Sequence, residues 1–305
     1  MRRRLDLELV RRGLVDTRSE ATIAIRDGRV TVGGRPATKA GTLIAPEDAV
    51  ALATAARAFA SRGGEKLAGA LDRLGVDPSG CRALDAGAST GGFTDCLLRR
   101  GVDHVVAVDV GYGQLDWRLR GDPRVTVQER TNVRDLDPAS LPYRPDLVVA
   151  DLSFISLRVV LPALVRCAAP GAEFVLLVKP QFEAGRAHVG ARGVVADPEV
   201  WGRVLRDVAA AAAGEGLAVW GICVSPLLGP AGNAEFFLRA RAPGPPRIGL
   251  QVGGPAGPGM PEWREALGAW VAEAVAGASA LRAARAAGGR EERPGEAAPE
   301  EDEGE

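Results

Sequence analysis

Between residues 65 and 241 short apolar runs alternate with helical segments, and no other feature constrains the fold as strongly. The runs are Arg82 to Ala86, His104 to Val110, Val125 to Gln128, Leu147 to Ala150, Phe174 to Val178, Ala218 to Val224 and Glu235 to Leu238. A strand that is apolar on both faces must be covered on both faces. Nearly continuous apolar strands separated by helices therefore predict an α/β chain with a mostly parallel sheet between two helical layers.

A different pattern precedes it. Leu5 and Leu9, with Leu7 or Val10, fall at helical spacing, and Gly13 stands where a helix C-cap falls. Thr17 with Glu20 three residues later reads as a capping box for a second helix, which ends at the Asp27-Gly28 turn. Val30 and Val32 before Gly33-Gly34, with extended sequence through Leu43 and Ile44, predict a short hairpin. Up to Lys39 this stretch holds ten basic residues against five acidic ones. Residues 50 to 60 are alanine-rich and read as a connector, with a hinge at Ser61-Arg62-Gly63-Gly64.

Composition narrows the chemistry. The chain has 305 residues, of which 46% are hydrophobic, enough for one large domain and one small one. It opens Met-Arg-Arg-Arg with no apolar run that could act as a signal peptide or span a bilayer, which predicts a cytoplasmic protein without a membrane partner. Four scattered cysteines and two histidines without a partner at ligand spacing argue against a metal site, a disulfide framework or a Ser-His-Asp hydrolase. Acid–base work is left to lysine and carboxylates. Residues 291 to 305 hold eight acids against Arg293, a net −7, which leaves +6 for residues 1 to 290. A mildly basic body is compatible with a polyanionic partner. After Arg241 the sequence turns to proline, glycine and alanine. Pro243 to Gly259 reads as a linker, Trp263, Leu267, Trp270, Val271 and Val275 share one face of a terminal helix suited to packing, and residues 286 to 305 read as disordered.

The strand ending at Leu84-Asp85 runs into Ala86-Gly87-Ala88-Ser89-Thr90-Gly91-Gly92-Phe93, and the next strand ends near Asp109. Glycines at such a turn let the backbone approach a cofactor, and an acid about 20 residues later can bind ribose hydroxyls. The pattern marks a nucleoside-cofactor site without separating nicotinamide cofactors from S-adenosylmethionine. Asp85 beside phosphates is unfavourable, whereas a sulfonium meets no such objection. Lys66 precedes the first of these strands, Asp151 follows the fourth, Lys179 ends the fifth and Glu235 begins the last. In a parallel sheet the C-terminal strand ends converge, so Asp151 and Lys179 are expected beside the cofactor loop.

The order of residues carries two resemblances. Arg4-Leu5-Asp6, Gly13, Thr17-Arg18, Ala21, Ile25, Gly28 and Val30-Thr31-Val32-Gly33-Gly34 resemble the RNA-binding domain named after small-subunit ribosomal protein S-four. Thr17 and Gly33 depart from the serine and asparagine common there. The motifs Ser61-Arg62-Gly63 with Lys66-Leu67, Leu84 to Thr94, Asp109-Val110-Gly111-Tyr112-Gly113-Gln114-Leu115, Arg130-Thr131-Asn132, Asp151-Leu152-Ser153-Phe154-Ile155-Ser156, Val178-Lys179-Pro180-Gln181-Phe182-Glu183 and Glu235-Phe236-Phe237 resemble the TlyA, or hemolysin A, family of FtsJ-like ribose methyltransferases.

That resemblance implies a Rossmann-like seven-stranded methyltransferase sheet, its last strand antiparallel, behind a small α+β RNA-binding domain. Expected boundaries are 1–50, a linker over 51–64, the catalytic domain over 65–242, and a linker, helix and acidic tail over 243–305. It implies cytidine 2'-O-methylation of ribosomal RNA or ribosomal subunits with S-adenosylmethionine. Lys66, Asp151, Lys179 and Glu235 take the catalytic positions, with Lys179 as general base, Lys66 beside it to orient the hydroxyl, Asp151 to position the lysines and the methyl sulfonium, and Glu235 to fix Lys66 or the ribose. Lysine accepts a proton only as the neutral amine, a form that a second ammonium and burial both favour. Cofactor contacts are expected from Asp85, Gly87, Ala88, Ser89, Thr90, Gly91, Gly92, Phe93, Asp109 and Asn132, and RNA contacts from Arg4, Arg11, Arg18, Arg26, Arg35 and Lys39. A non-catalytic ribosome-assembly protein would need no such tetrad. A membrane-active hemolysin would need an amphipathic or spanning segment.

Overall fold

The computed structural model describes residues 2–15, 17–26, 28–52, 59–190, 192–245 and 263–288. The chain divides into two compact units, residues 1–58 and 59–305. In the first, strand β1 (Arg3–Arg4) is followed by helix α1 (Leu5–Arg11), α2 (Arg18–Arg26), β2 (Val30–Val32), β3 (Arg35–Pro36), β4 (Leu43–Ile44) and β5 (Val50–Leu52). Leu5, Leu9, Ala21, Ala24, Ile25, Val30 and Ile44 form its core. The Thr17 hydroxyl accepts from the Glu20 N–H at 3.1 Å, the N-cap bond that the spacing predicts.

Two pairings depart from the sequence reading. Leu43–Ile44 leaves the hairpin and pairs with β1, while Val50–Leu52 pairs antiparallel with β2. The expected linker over 51–64 therefore starts inside a strand and ends inside a helix, α3 (Arg62–Leu74), capped by Ser61. Alanine-rich composition hid Val50 and Leu52, two apolar residues at strand spacing that give β2 a second neighbour.

The second unit continues with β6 (Arg82–Ala86), α4 (Gly92–Arg99), β7 (His104–Val108), α5 (Trp117–Arg120), β8 (Val125–Gln128), β9 (Leu147–Ala150), α6 (Leu157–Cys167), β10 (Glu173–Val178), α7 (Pro180–Glu183), α8 (Pro198–Gly214), β11 (Ala218–Val224), β12 (Phe236–Arg241) and α9 (Trp263–Gly288). Seven strands lie in the order β11-β12-β10-β9-β6-β7-β8. All neighbours are parallel except β12, which runs antiparallel to both β10 and β11. The strand order reverses between β6 and β9, the position at which doubly wound sheets bind ligands.

Period-two alternation decides which helices each strand residue meets. Leu84, Ala86, Val148, Ala150, Leu176, Val178, Phe236 and Leu238 face α6, α8 and α9. Ala83, Val105, Val149, Val175, Leu177 and Phe237 face α3, α4 and α5. Val271, Ala274 and Ala278 of α9 are buried against the first layer, with Trp263, Leu267, Trp270 and Val275 packed around them. Residues 246–262, which include most of the expected linker, and residues 289–305, which hold most of the expected tail, lie outside the described residues. No helix among the described residues is long and apolar enough to cross a membrane.

The edge of the sheet carrying the β6-Arg82 and β10-Glu173 ends is closed by a buried ion cluster. Glu173, fully buried, accepts from Arg239 Nε at 2.9 Å and from Arg241 Nε at 2.5 Å. Arg239 also donates to the Leu74 carbonyl at 2.8 Å, satisfying an end of α3 that has no partner within the helix. The Trp220 ring lies against both guanidiniums, 4.3 Å from Arg241 and 5.6 Å from Arg239.

Candidate active site

The same alternation that sorts the core builds the opposite edge. Asp85, Val149, Leu177 and Phe237 point to the α3/α4 side, so Asp151, Lys179 and Glu235, each two residues from one of the last three, emerge on that side at the strand ends. Lys66 comes down from α3 and meets Glu235, Nζ to Oε2 2.6 Å, with the two side chains 8% and 2% exposed. Lys179 Nζ lies 2.5 Å from Asp151 Oδ1 and donates to Ser153 Oγ at 2.9 Å. Both lysines are thus ion-paired to a carboxylate. Asp151 was expected to position the lysines and Glu235 to fix Lys66 or the ribose; in the structure Asp151 meets Lys179 and Glu235 meets Lys66.

Two adjoining hollows lie beside this edge. The larger, of about 440 Å³, is lined by Gly87, Ser89, Asp109, Asn132, Val133 and the segment Asp151 to Ile155, among others, and by no basic side chain among the described residues. The smaller, of about 150 Å³, is lined by Ser61, Gly63, Ala88, Thr90, Gly92, Phe93 and Lys179 and shares Gly87, Ser89, Asp151 and Ser153 with the first. Gly87 has φ +86, and a Cβ there would meet the Asp151 carbonyl oxygen at 2.6 Å. Only glycine lets the two strand ends approach so closely. Asp109 is held by two backbone N–H groups, from Ser89 at 2.8 Å and Gly111 at 2.7 Å. Asn132 caps a short 3-10 turn through Oδ1, accepting from Arg134 N at 3.1 Å, and lines the larger hollow.

Of the residues expected at the cofactor, Asp85 and Gly91 line neither hollow. Gly91, at φ +94, opens α4 and packs against Leu119. Asp85 is fully buried, accepts from Thr94 Oγ1 at 2.6 Å through one oxygen and leaves the other without a partner. Its placement is a correction: facing α4, it supports the loop from beneath. Burial pushes its carboxyl up to about 7, against the Thr94 hydroxyl and with the charge of Asp151 adding to the rise.

An acid raised in the fold binds its proton more tightly there than in the unfolded chain, so its contribution to stability falls as pH rises from about 4 to about 7. The cost over three units is about 4 kcal/mol. The melting temperature of Asp85→Asn relative to the wild type should therefore increase across that window and level off above it; a constant difference would mean that Asp85 is ionised in the fold.

Sequence reasoning missed Ser61, Gly63, Gln114, Leu152, Ser153 and Phe154 as lining residues. Phe154 is 91% exposed, sits at φ +64 and contacts the Phe182 ring at 5.3 Å. A large exposed aromatic held in a left-handed conformation is the signal, and it exists only in three dimensions.

The cations expected at RNA are half-exposed or exposed in the first unit, three of them tied to buried acids. Arg4 and Arg18 both donate to Asp6, whose carboxyl they hold down at about 2. Arg11 and Arg12 do the same for Glu8, also held near 2. Arg26, Arg35 and Lys39 are exposed. No group of His, Cys, Asp and Glu able to hold a metal ion occurs among the described residues.

The comparisons agree with this geometry. The profile of the FtsJ-like methyltransferase family matches residues 59–242, and that of the S4 domain matches residues 3–50. The 16S/23S rRNA (cytidine-2'-O)-methyltransferase TlyA of Mycobacterium tuberculosis is 54% identical over 241 residues, 79% of this chain and 90% of that protein. Hemolysin A of Brachyspira hyodysenteriae is 35% identical over 77% of this chain and 98% of its own length. A solved structure described as a candidate hemolysin of Streptococcus thermophilus matches with a TM-score of 0.70 at 34% identity, covering 94% of this chain and 98% of that one. An S4 domain, a seven-stranded methyltransferase sheet and this degree of identity over most of both chains establish that the protein belongs to the TlyA family of FtsJ-like methyltransferases.

Proposed function

We propose that the chain methylates the 2'-hydroxyl of cytidine in ribosomal RNA, using S-adenosylmethionine. The observation that carries this reading is a nucleoside-sized hollow lined by Asp109 and Asp151 and, among the described residues, by no basic side chain, opening beside Lys179. Two carboxylates suit a cationic sulfonium and repel a pyrophosphate. The residues fit the cofactor: Asn132 and Val133 for the base, Asp109 for the ribose hydroxyls, Gly87 for close backbone approach, and the N-terminus of α3 at Ser61 and Gly63 for the carboxylate end.

S-adenosylmethionine supplies an electrophilic methyl. A ribose hydroxyl is a weak nucleophile, and it becomes a competent one when a base takes its proton as the new O–C bond forms. Lys179 Nζ is that base in its neutral form, which requires that the ammonium paired with Asp151 first release its proton to solvent. Ser153 and Asp151 fix its position, and Asp151 holds the ammonium formed when the proton arrives. Lys66 orients the hydroxyl and is held in turn by Glu235. Phe154, exposed at the rim, offers a face on which a base turned out of the RNA stacks. The S4 domain, with Arg26, Arg35 and Lys39 exposed, grips RNA phosphates. The name of the Mycobacterium tuberculosis relative supports both subunits' rRNA as substrates, and a protein acting on them would work in the cytoplasm.

The test is transfer of labelled methyl from S-adenosylmethionine into isolated small and large ribosomal subunits, with products mapped by resistance of the modified linkage to alkali. Label at a cytidine 2'-oxygen is the expected result. Cofactor binding without incorporation into either subunit would overturn the reading in favour of a non-catalytic role.

A further inference from the structure

We infer that Glu183 is a positioning residue for the methyl transfer, acting by locking together the two loops that carry Lys179 and Asp151. The inference rests on the proposed reaction. Glu183 closes α7, four residues after Lys179, and its side chain leaves that element altogether. Oε1 accepts the Leu157 N–H at 2.6 Å and Oε2 accepts the Ser156 hydroxyl at 2.5 Å, both at the start of α6. Arg158 closes the arrangement, Nε 3.3 Å from Oε2 and a terminal nitrogen donating to the Glu183 carbonyl at 3.0 Å. Glu183 is 7% exposed.

The chain between these anchors is short. From Lys179 to Glu183 is four residues, and from Asp151 to Ser156 is five. Within the second span lie Asp151 and Ser153, which contact Lys179 Nζ, and Phe154, whose positive φ needs support from its surroundings. A free N–H at a helix start and a carboxylate that satisfies it make a strong, directional bond. Glu183 supplies that carboxylate from the other loop, so the distance between the two loops is set by one side chain. Phe154 against Phe182, the residue before Glu183, adds an apolar contact across the same gap. None of these contacts touches a reacting atom; their effect passes through Lys179 and the hydroxyl it faces.

Glu183→Ala, Glu183→Gln, Ser156→Ala and the Ser156→Ala/Glu183→Ala double variant test this. Turnover is measured at saturating rRNA and S-adenosylmethionine and divided by the number of cofactor-binding sites, so that unfolded protein drops out. Glu183→Ala should lose at least about tenfold, since small misplacements of a reacting group cost on the order of 100-fold. Glu183→Gln, which keeps an acceptor for the Leu157 N–H, should return to within about threefold of wild type, and the double variant should be no worse than Glu183→Ala. Turnover per site that stays at the wild-type value in Glu183→Ala, or losses in the two single variants that multiply in the double, would overturn the inference. If Glu183→Ala fails to fold, Glu183→Gln and Ser156→Ala decide by the same measure: both at full wild-type turnover per site would overturn it, and a loss in Ser156→Ala larger than in Glu183→Gln would support it. Wild-type incorporation reports on the proposed reaction, and the ratios to wild type report on Glu183.

Discussion

A Lys179→Ala protein is expected to bind S-adenosylmethionine with nearly wild-type affinity and to transfer methyl groups about 100- to 10,000-fold more slowly, the range in which general bases contribute. Lys179 is only 11% exposed and its Nζ contacts Asp151 and Ser153. Losing it removes the proposed proton acceptor and the Asp151 counter-ion, but takes nothing from the wall formed by Asp109, Asn132 and Val133. Lys179→Arg separates base from charge. Arginine keeps the positive partner for Asp151 and cannot give up its proton, so it should restore stability and not turnover. Wild-type turnover in either variant would remove the base assignment.

The second large effect lies at the far edge of the sheet. Glu173→Ala should lower unfolding stability by about 3–5 kcal/mol, because it leaves Arg239 and Arg241 buried without their acid. Arg239 would also be pulled from the Leu74 carbonyl that it satisfies. Replacing all three charges by apolar residues of similar volume should cost much less than the single change, since ion desolvation disappears together with the attraction. Denaturant titration of the two proteins provides the comparison. A Glu173→Ala protein as stable as wild type would show that water reaches the cluster.

The strands of the second unit were legible because burial on both faces leaves a nearly unbroken apolar signature, and six of seven were placed within two residues at each end. The last was misjudged by three at its end, because Arg239 and Arg241 look like surface residues until Glu173, 66 residues away from the nearer one, accounts for their burial. Asp151 and Lys179 were placed beside the loop by sheet topology alone. That Asp151 would position the lysines came from the family resemblance, and which lysine it holds depends on which face each strand end presents. Asp85 misled for a related reason: it stands next to the glycine loop in sequence, yet its face of β6 looks into α4. Ser61 and Gly63 read as hinge because a helix start and a flexible joint share small residues. Phe154 carried no periodic signal at all, being a single loop position whose meaning lies in its backbone conformation.

The insertion of β12 between β10 and β11 has a consequence for how the protein is made. Glu235 and the strand that follows it are synthesised after every other strand among the described residues, yet β12 occupies an interior position of the sheet. While the chain emerges, β11 has no neighbour to join, and Lys66 waits without its acid for 169 residues of synthesis. The edge that holds the Lys66–Glu235 pair is complete only once β12 is in place. A newly made copy, still attached to the ribosome that is making it, would have its S4 domain folded long before it had a working active site.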